Sequence, residues 1–310
     1  MHTADTATAF NILSIDGGGA KGFYSLGFLR ELEAALGCSL ASHFHAIYGT
    51  STGAIIASQL ALGKSATAVL ELYTENVPGI LGAWGARGKT AKLKAVSKEL
   101  YKDVRWSDFK TRIGIVATNW TNERPLVFKN KKDAAHGMKE TFVEGFGCAV
   151  SDAVRASCSA TPYFKPCMLK LENDGIVEAR DGGFCANNPS LVAIADALNP
   201  LGIRPECIRL LSLGVGNYPA PERGWAEKMV YRYTLADMLN KTLYVSANTT
   251  EIQVKQLFPK VPCMRVSDHF AINELAMDFL ESDLRRLDRL VQKGRDSFSM
   301  RGADISTFWS

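Results

Sequence analysis

The chain has 310 residues, 46% of them hydrophobic and 22% charged, with a formal net charge of +4. This is ordinary globular composition with ample apolar material for one large core, and the charge is too mild to point to a nucleic acid polymer as partner. No stretch is apolar for long enough to cross a bilayer. Residues 1–9 are polar and lack Lys or Arg ahead of an apolar run, so they read as a frayed tail, not a secretory leader.

In chain order, Phe10 to Ile15 is a short apolar run ending at Asp16-Gly17, which predicts a buried strand. From Gly22 the period changes: Phe23, Leu26, Leu29, Leu32 and Leu36 recur every three to four residues and Gly37 closes a helix. Residues 44–48 predict a second strand, which turns at Gly49-Thr50-Ser51-Thr52-Gly53 into a helix over 54–62. That helix is apolar all round and therefore buried, and Gly63 stops it. Ser65 reads as the N-cap of a further helix to about Tyr73. Residues 78–88, rich in glycine and carrying Ile80, Leu81 and Trp84, predict a mobile, partly apolar loop. Residues 113–117 and 126–128 predict strands, and Ser151 is placed to cap a short helix. Asn188-Pro189 starts a helix with Leu191, Val192, Ile194, Ala195 and Leu198 on its apolar face. Ile208 to Leu213 is another strand before Gly214, and Ile272, Leu275, Phe279, Leu284, Leu287 and Val291 mark an amphipathic helix. Alternating strand and helix periods imply βαβ units, hence an α/β fold on a mainly parallel sheet. With no repeat or linker, residues 10–310 are expected to form a single domain with a helical C-terminal part.

Seven cysteines without a CxxC pair read as reduced thiols of a cytosolic protein, and no metal site is expected. Arg87, Lys89, Lys92, Lys94, Lys98, Lys102 and Arg105 fall within nineteen residues against only Glu99 and Asp103. Such a run is either a solvated helical face or a surface for anionic lipid headgroups.

The chemistry concentrates in three glycine-rich segments. Gly49-Thr50-Ser51-Thr52-Gly53 fits a nucleophile elbow, where a serine sits on a strained strand-to-helix turn and its neighbours lack side chains that would collide with backbone. Asp16-Gly17-Gly18-Gly19-Ala20-Lys21-Gly22 also joins a strand to a helix, and its exposed amides can hold an oxyanion. Gly17-x-Gly19-x-x-Gly22 matches the dinucleotide fingerprint too, but the acidic residue expected at the end of the second strand is absent. No Gly-Lys-Ser/Thr follows, so the segment is not a P-loop. Among five histidines, His2 is in the tail, His43 and His45 flank a strand entry, His136 lies in a lysine-rich loop, and only His269 follows the serine-acid-histidine order of α/β-hydrolases. Only one strand precedes the elbow's own, which argues against that fold and leaves His269 a surface or capping role. The other base is Asp181 in Asp181-Gly182-Gly183, which reads equally as an Asp-Gly turn or as a carboxylate within roughly 2.6–3.2 Å of the serine hydroxyl.

Together these segments resemble the patatin-like phospholipase family, whose oxyanion loop, elbow and later aspartate appear here in order. Ala156-Ser157-Cys158-Ser159-Ala160-Thr161-Pro162 and Asn187-Asn188-Pro189 are similar to further family segments, so the likeness spans residues 10–216. The resemblance implies a three-layer α/β/α fold and a Ser–Asp dyad. Ser51 is then the nucleophile, Asp181 the base, and the amides of Gly17, Gly18 and Gly19 the oxyanion donors, with Asp16, Lys21, Gly22, Gly49, Gly53, Gly182 and Gly183 in support. Lys21 stands where many members carry arginine and lacks its planar fork. The implied substrates are acyl esters of membrane phospholipids, cut without a catalytic cofactor. Asn248-Thr249-Thr250-Glu251, Asp278-Phe279-Leu280 and Gly294-Arg295-Asp296-Ser297-Phe298 are similar to a bacterial branch activated by cyclic nucleotides in antiphage defence. That branch implies a cyclic nucleotide activator and a cytoplasmic enzyme, peripheral on the inner membrane surface and self-associating when active. A histidine-dependent esterase and a non-catalytic binding module that keeps the fold are the competing readings.

Overall fold

The computed structural model describes residues 9–136, 141–172, 174–219, 235–271 and 275–309. Its centre is an eight-stranded sheet of β1 (Phe10–Ile15), β2 (Ala46–Thr50), β3 (Arg112–Asn119), β4 (Arg124–Lys129), β5 (Cys167–Leu171), β6 (Gly175–Asp181), β7 (Ile208–Leu213) and β8 (Cys263–Val266). Traced through hydrogen-bonded neighbours the strands connect as β5-β6-β3-β2-β1-β7-β8, with β4 also paired to β3. β3, β2, β1, β7 and β8 run parallel, whereas β4 and β6 lie antiparallel to β3.

Helices cover both faces, as a parallel sheet requires. In chain order they are α1 (Gly22–Leu36), α2 (Leu40–His43), α3 (Thr52–Ala61), α4 (Ala66–Leu81), α5 (Gly85–Leu100), α6 (Val150–Ser157), α7 (Gly183–Ala186), α8 (Ser190–Leu198), α9 (Leu235–Leu257), α10 (Leu284–Met300) and α11 (Gly302–Trp309). The two-residue period of β1 sends Leu13 and Ile15 into the larger core with α1, α3 and α4. Phe10 and Ile12 point into the smaller core with Ala193, Ile194 and Ala197 of α8 and Val254 of α9. The result is the three-layer α/β/α arrangement expected. Among the described residues no helix is long and apolar enough to cross a membrane.

Three expectations fail. Ser151 does not cap its helix but is the second residue of α6, whose N-cap is Ala149. Residues 78–88 do not form a loop: α4 continues to Leu81 with Pro78 inside it, and α5 starts at Gly85. The buried Lys89 ammonium donates to the carbonyls of Leu81 and Ala83, closing the C-terminus of α4 from the following helix. That cap comes from the next element, so the local glycine content hid it. The amphipathic helix also starts later than its apolar spacing suggested. Asp283 caps α10 by accepting from the Arg285 amide, and residues 276–283 precede it without helix. Ile272 lies outside the described residues.

α1 and α10 approach closely because each carries a glycine at the crossing. A Cβ on Gly27 would stand 2.1 Å from the Val291 carbonyl oxygen, and one on Gly294 would stand 2.0 Å from that of Tyr24. Both obstacles are backbone, so any side chain must separate the helices. Gly27→Ala and Gly294→Ala are each expected to lower stability by about 1–3 kcal/mol, the usual overpacking range. The check is a fall in the urea midpoint; an unchanged midpoint would mean the helices do not cross here.

Candidate active site

The geometry of one strand edge assembles the site. β4 occupies one edge of β3 from Gly114 to Asn119, so β2 and β6 must share the other. They approach from opposite ends. Thr50 of β2 lies opposite Val116, and Asp181 of β6 lies opposite the next residue, Ala117. Two strands remote in sequence therefore end side by side, and the residue after Thr50 is Ser51.

Ser51 has φ 55° and ψ −124°, between the end of β2 and the start of α3. A non-glycine residue held there costs of order 1–3 kcal/mol, which the surrounding packing must offset. Gly49 and Gly53 permit the turn by close approach: a Cβ on Gly49 would lie 2.2 Å from the Gly53 carbonyl oxygen, and one on Gly53 2.4 Å from that of Ile15. The turn leaves Ser51 as the N-cap of α3, where free helical amides and the helix dipole favour negative charge.

The Ser51 hydroxyl donates to Asp181 Oδ2 at 2.6 Å, and both residues are buried. Asp181 Oδ1 accepts from the Gly183 amide at 2.8 Å. Burial drives the carboxyl pKa up to about 7, against the lowering pull of the Ser51 and Gly183 hydrogen bonds. Gly182 packs against β3, where a Cβ would lie 2.1 Å from the Val116 carbonyl oxygen. Among the described residues no histidine contacts either group. His43 and His45 bond Asn11 at the opposite end of β2, His136 bonds Asp196, and His269 is exposed.

A turn after α6 holds both partners. Ser157 Oγ accepts from the Ser51 amide at 2.8 Å and donates to the Val116 carbonyl at 2.5 Å. The carbonyls of Ser159 and Ser157 accept from the amides of Asp181 and Gly182. Reading the residues singly gave Ser157 no role; only its place in a family-like segment drew notice.

The glycine loop needs one correction. The Gly17 amide donates to the Asn187 carbonyl at 3.0 Å, which removes it from the expected oxyanion donors. The Gly18 amide makes a longer bond of 3.3 Å to Thr52 Oγ1, and the Gly19 amide has no acceptor among the described residues. Asp16 is tied to the end of β8 by both terminal nitrogens of Arg265, at 2.6 and 2.9 Å. Lys21 is buried and donates to the Tyr244 hydroxyl of α9, and burial lowers its pKa to about 8. Gly22 and Gly183 take up tight packing against Tyr73 and Leu243. Nothing near Arg265 or Tyr244 in the sequence marks them as partners of this loop.

The space above Ser51 is apolar and narrow. A cavity of ≈ 20 Å³ is lined by Ser51, Ile55, Leu81, Leu93, Phe164 and Phe279 among others. That is room for about one water molecule, which needs roughly 10–15 Å³ by the same measure. The Phe279 carbonyl accepts from the Ala20 amide at 3.1 Å, and its ring stacks on Tyr163 with centroids 5.2 Å apart. A short segment before α10 thus roofs the glycine loop.

Removing the Ser157 hydroxyl leaves the Ser51 amide and the Val116 carbonyl without their partner, a loss of about 1–3 kcal/mol in a buried site. Ser157→Ala is expected to lower kcat more than it raises KM and to lower the unfolding midpoint. An unchanged kcat, measured on a soluble ester, would show that the elbow holds its shape without this bond.

Residues 13–194 match the family model described as patatin-like phospholipase. A cUMP-AMP-activated phospholipase of Escherichia coli is 44% identical over 297 residues, covering 96% of this chain and 93% of its own. A cGAMP-activated phospholipase of Pseudomonas aeruginosa is 26% identical, over 94% and 86% of the two chains. VipD from Legionella pneumophila shares the fold at a TM-score of 0.51 and 12% identity, over 94% of this chain and 66% of that one. With both the family model and a relative of this similarity covering most of its length, the chain belongs to the patatin-like phospholipase family of ester hydrolases.

Proposed function

We propose that the protein is a phospholipase A-type acyl hydrolase of membrane phospholipids that uses a Ser51–Asp181 dyad and is switched on by a cyclic dinucleotide. The observation that carries this reading is the 2.6 Å hydrogen bond between a buried hydroxyl and a buried carboxylate. Asp181 takes the Ser51 proton as Oγ attacks the ester carbonyl carbon. The oxyanion faces the amides of Gly18 and Gly19, and the lysophospholipid leaves with the proton held by Asp181. Asp181 then takes a proton from water, which attacks the acyl-enzyme; the fatty acid departs and Ser51 regains its proton. A carboxylate with a pKa near 7 is a far stronger base than a solvated one near 4, and burial is the source of that difference.

Activation is supported by two observations. The relatives named above are cyclic-dinucleotide-activated phospholipases. A cavity of ≈ 20 Å³ admits no acyl chain, so turnover requires a more open form that a ligand can favour. Such a switch suits antiviral defence, in which the enzyme self-associates, sits peripherally on the inner membrane surface of its own cell and degrades that membrane once the nucleotide appears.

The test is phospholipid hydrolysis in the presence of cUMP-AMP by the wild type and by Ser51→Ala, Asp181→Asn and His269→Ala. The first two are expected to lose at least about 100-fold, the lower range for a general base, and the third to stay near wild type. A histidine-dependent esterase reverses the last outcome, and a non-catalytic module gives no labelling of Ser51 by a fluorophosphonate. Because Asp181 must be ionised to accept the proton, kcat/KM is expected to rise with pH through a midpoint near 7 and to fall below it. A rate independent of pH from 5 to 9 would contradict Asp181 as the base. Phe279→Ala opens the roof without touching the dyad. Nucleotide-independent hydrolysis of a soluble short-chain ester is expected to rise, narrowing the activation ratio; a fall would mark Phe279 as a support of the glycine loop instead.

A further inference from the structure

The α4–α5 hairpin has two faces, and only one of them belongs to the catalytic cavity. Ile80 and Leu81 of α4 and Leu93 of α5 line that cavity, with Lys89, Leu93 and Ser97 forming the buried stripe of α5. On the outer side of α5, Arg87, Lys94 and Lys98 are exposed at spacings of seven and four residues, which puts them on one face of the helix. Among the described residues none of the three is paired with a carboxylate. Lys165 is also exposed, and its amide is tied to Thr90 of α5 at 2.9 Å.

At the tip, three residues beyond the cavity-lining Leu81, Trp84 is 95% exposed. The tip is held firmly, because the buried Lys89 ammonium binds the carbonyl of Leu81 at the end of α4 and that of Ala83 within the turn. A large indole displayed on a rigid turn beside an unpaired basic stripe matches the two layers of an anionic bilayer surface. The ring suits the interfacial zone, where tryptophan is enriched, and the cations suit the headgroups.

We infer that the α4–α5 hairpin is the surface by which this enzyme docks on anionic phospholipid. Trp84 enters the interfacial zone and Arg87, Lys94 and Lys98 lie along the headgroups. The docking face and one wall of the catalytic cavity are then opposite sides of the same two helices, so engagement of the bilayer acts directly on the wall that an acyl chain must pass. This inference rests on the reading of the protein as a lipid hydrolase, and the binding assay is chosen to be independent of catalysis.

The probe is the full-length Ser51→Ala protein, sedimented with vesicles of phosphatidylcholine alone or mixed with phosphatidylglycerol, at low and high salt, with and without cUMP-AMP. Binding is expected to the mixed vesicles and to weaken with salt. Replacing Arg87, Lys94 and Lys98 together by Gln is expected to weaken it on the order of a hundredfold, at about fivefold per cation. Trp84→Ala is expected to weaken binding at both salt concentrations. A control set on other surfaces, Lys131→Gln, Lys132→Gln and Lys260→Gln, is expected to leave binding unchanged. Equal losses in the two sets would reduce the effect to overall charge and overturn the proposal, as would failure of the parent protein to bind the mixed vesicles under any condition. The hairpin substitutions placed on the Ser51 enzyme are expected to leave hydrolysis of a soluble short-chain ester intact. If the unsubstituted enzyme fails to cut that ester even with cUMP-AMP present, the hydrolase reading fails, while the vesicle result still stands or falls by itself.

Discussion

The structure turns on one contact, the hydrogen bond from the Ser51 hydroxyl to the Asp181 carboxylate, and on the strand arrangement that makes it. β2 and β6 share an edge of β3 and run head-on, with Val116 and Ala117 as their adjacent register partners. Neither residue has to reach across a cleft. Both stand where backbone pairing on β3 puts them, and the Ser157–Ser159 turn clamps their amides from the other side. A contact built on strand ends is rigid in a way that a pair of loop residues is not.

Burial gives that contact its chemical character and also closes it. The walls that desolvate Asp181 and raise its pKa leave room above Ser51 for about one water. Several of the parts that create this state lie beyond residue 194, where the family match stops. Arg265 anchors Asp16, Tyr244 receives Lys21, and Phe279 roofs the glycine loop. The C-terminal third therefore sets the state of the glycine loop near the N-terminus, and α10 holds that third against α1 through the Gly27–Gly294 crossing.

Local signals carried much of the fold. The apolar run of β1, the all-apolar α3 and the glycine stop at Gly37 were legible because their patterning is short-range and unopposed. The expectations failed where a distant or adjacent element decided the outcome. Glycine-rich residues 78–88 looked like a loop, yet Lys89 caps α4 from inside α5. Leu275 and Phe279 kept helical spacing with Leu287 and Val291, yet they lie in the segment that covers the glycine loop, before the Asp283 cap starts α10. Gly17 looked equivalent to Gly18 and Gly19 in the run of glycines. The Asn187 carbonyl distinguishes it, from 170 residues away.

By itself the amino-acid sequence determined that Ser51 sits on a glycine-flanked bend between a strand and a buried helix, because steric demands at such a bend admit few residue types. It also marked the glycine loop and the Asp181 turn as segments of special backbone. It left Asp181 balanced between a common turn and a catalytic base. Only the tertiary structure set its carboxylate against the Ser51 hydroxyl, and only there do the shift of that carboxylate towards neutral pKa, the narrowness of the cavity and the separation of the basic hairpin into an inner and an outer face emerge. The physical reason is the same in each case: hydrogen-bond partners, burial and accessibility are properties of surroundings, and here those surroundings come from parts of the chain far apart in sequence.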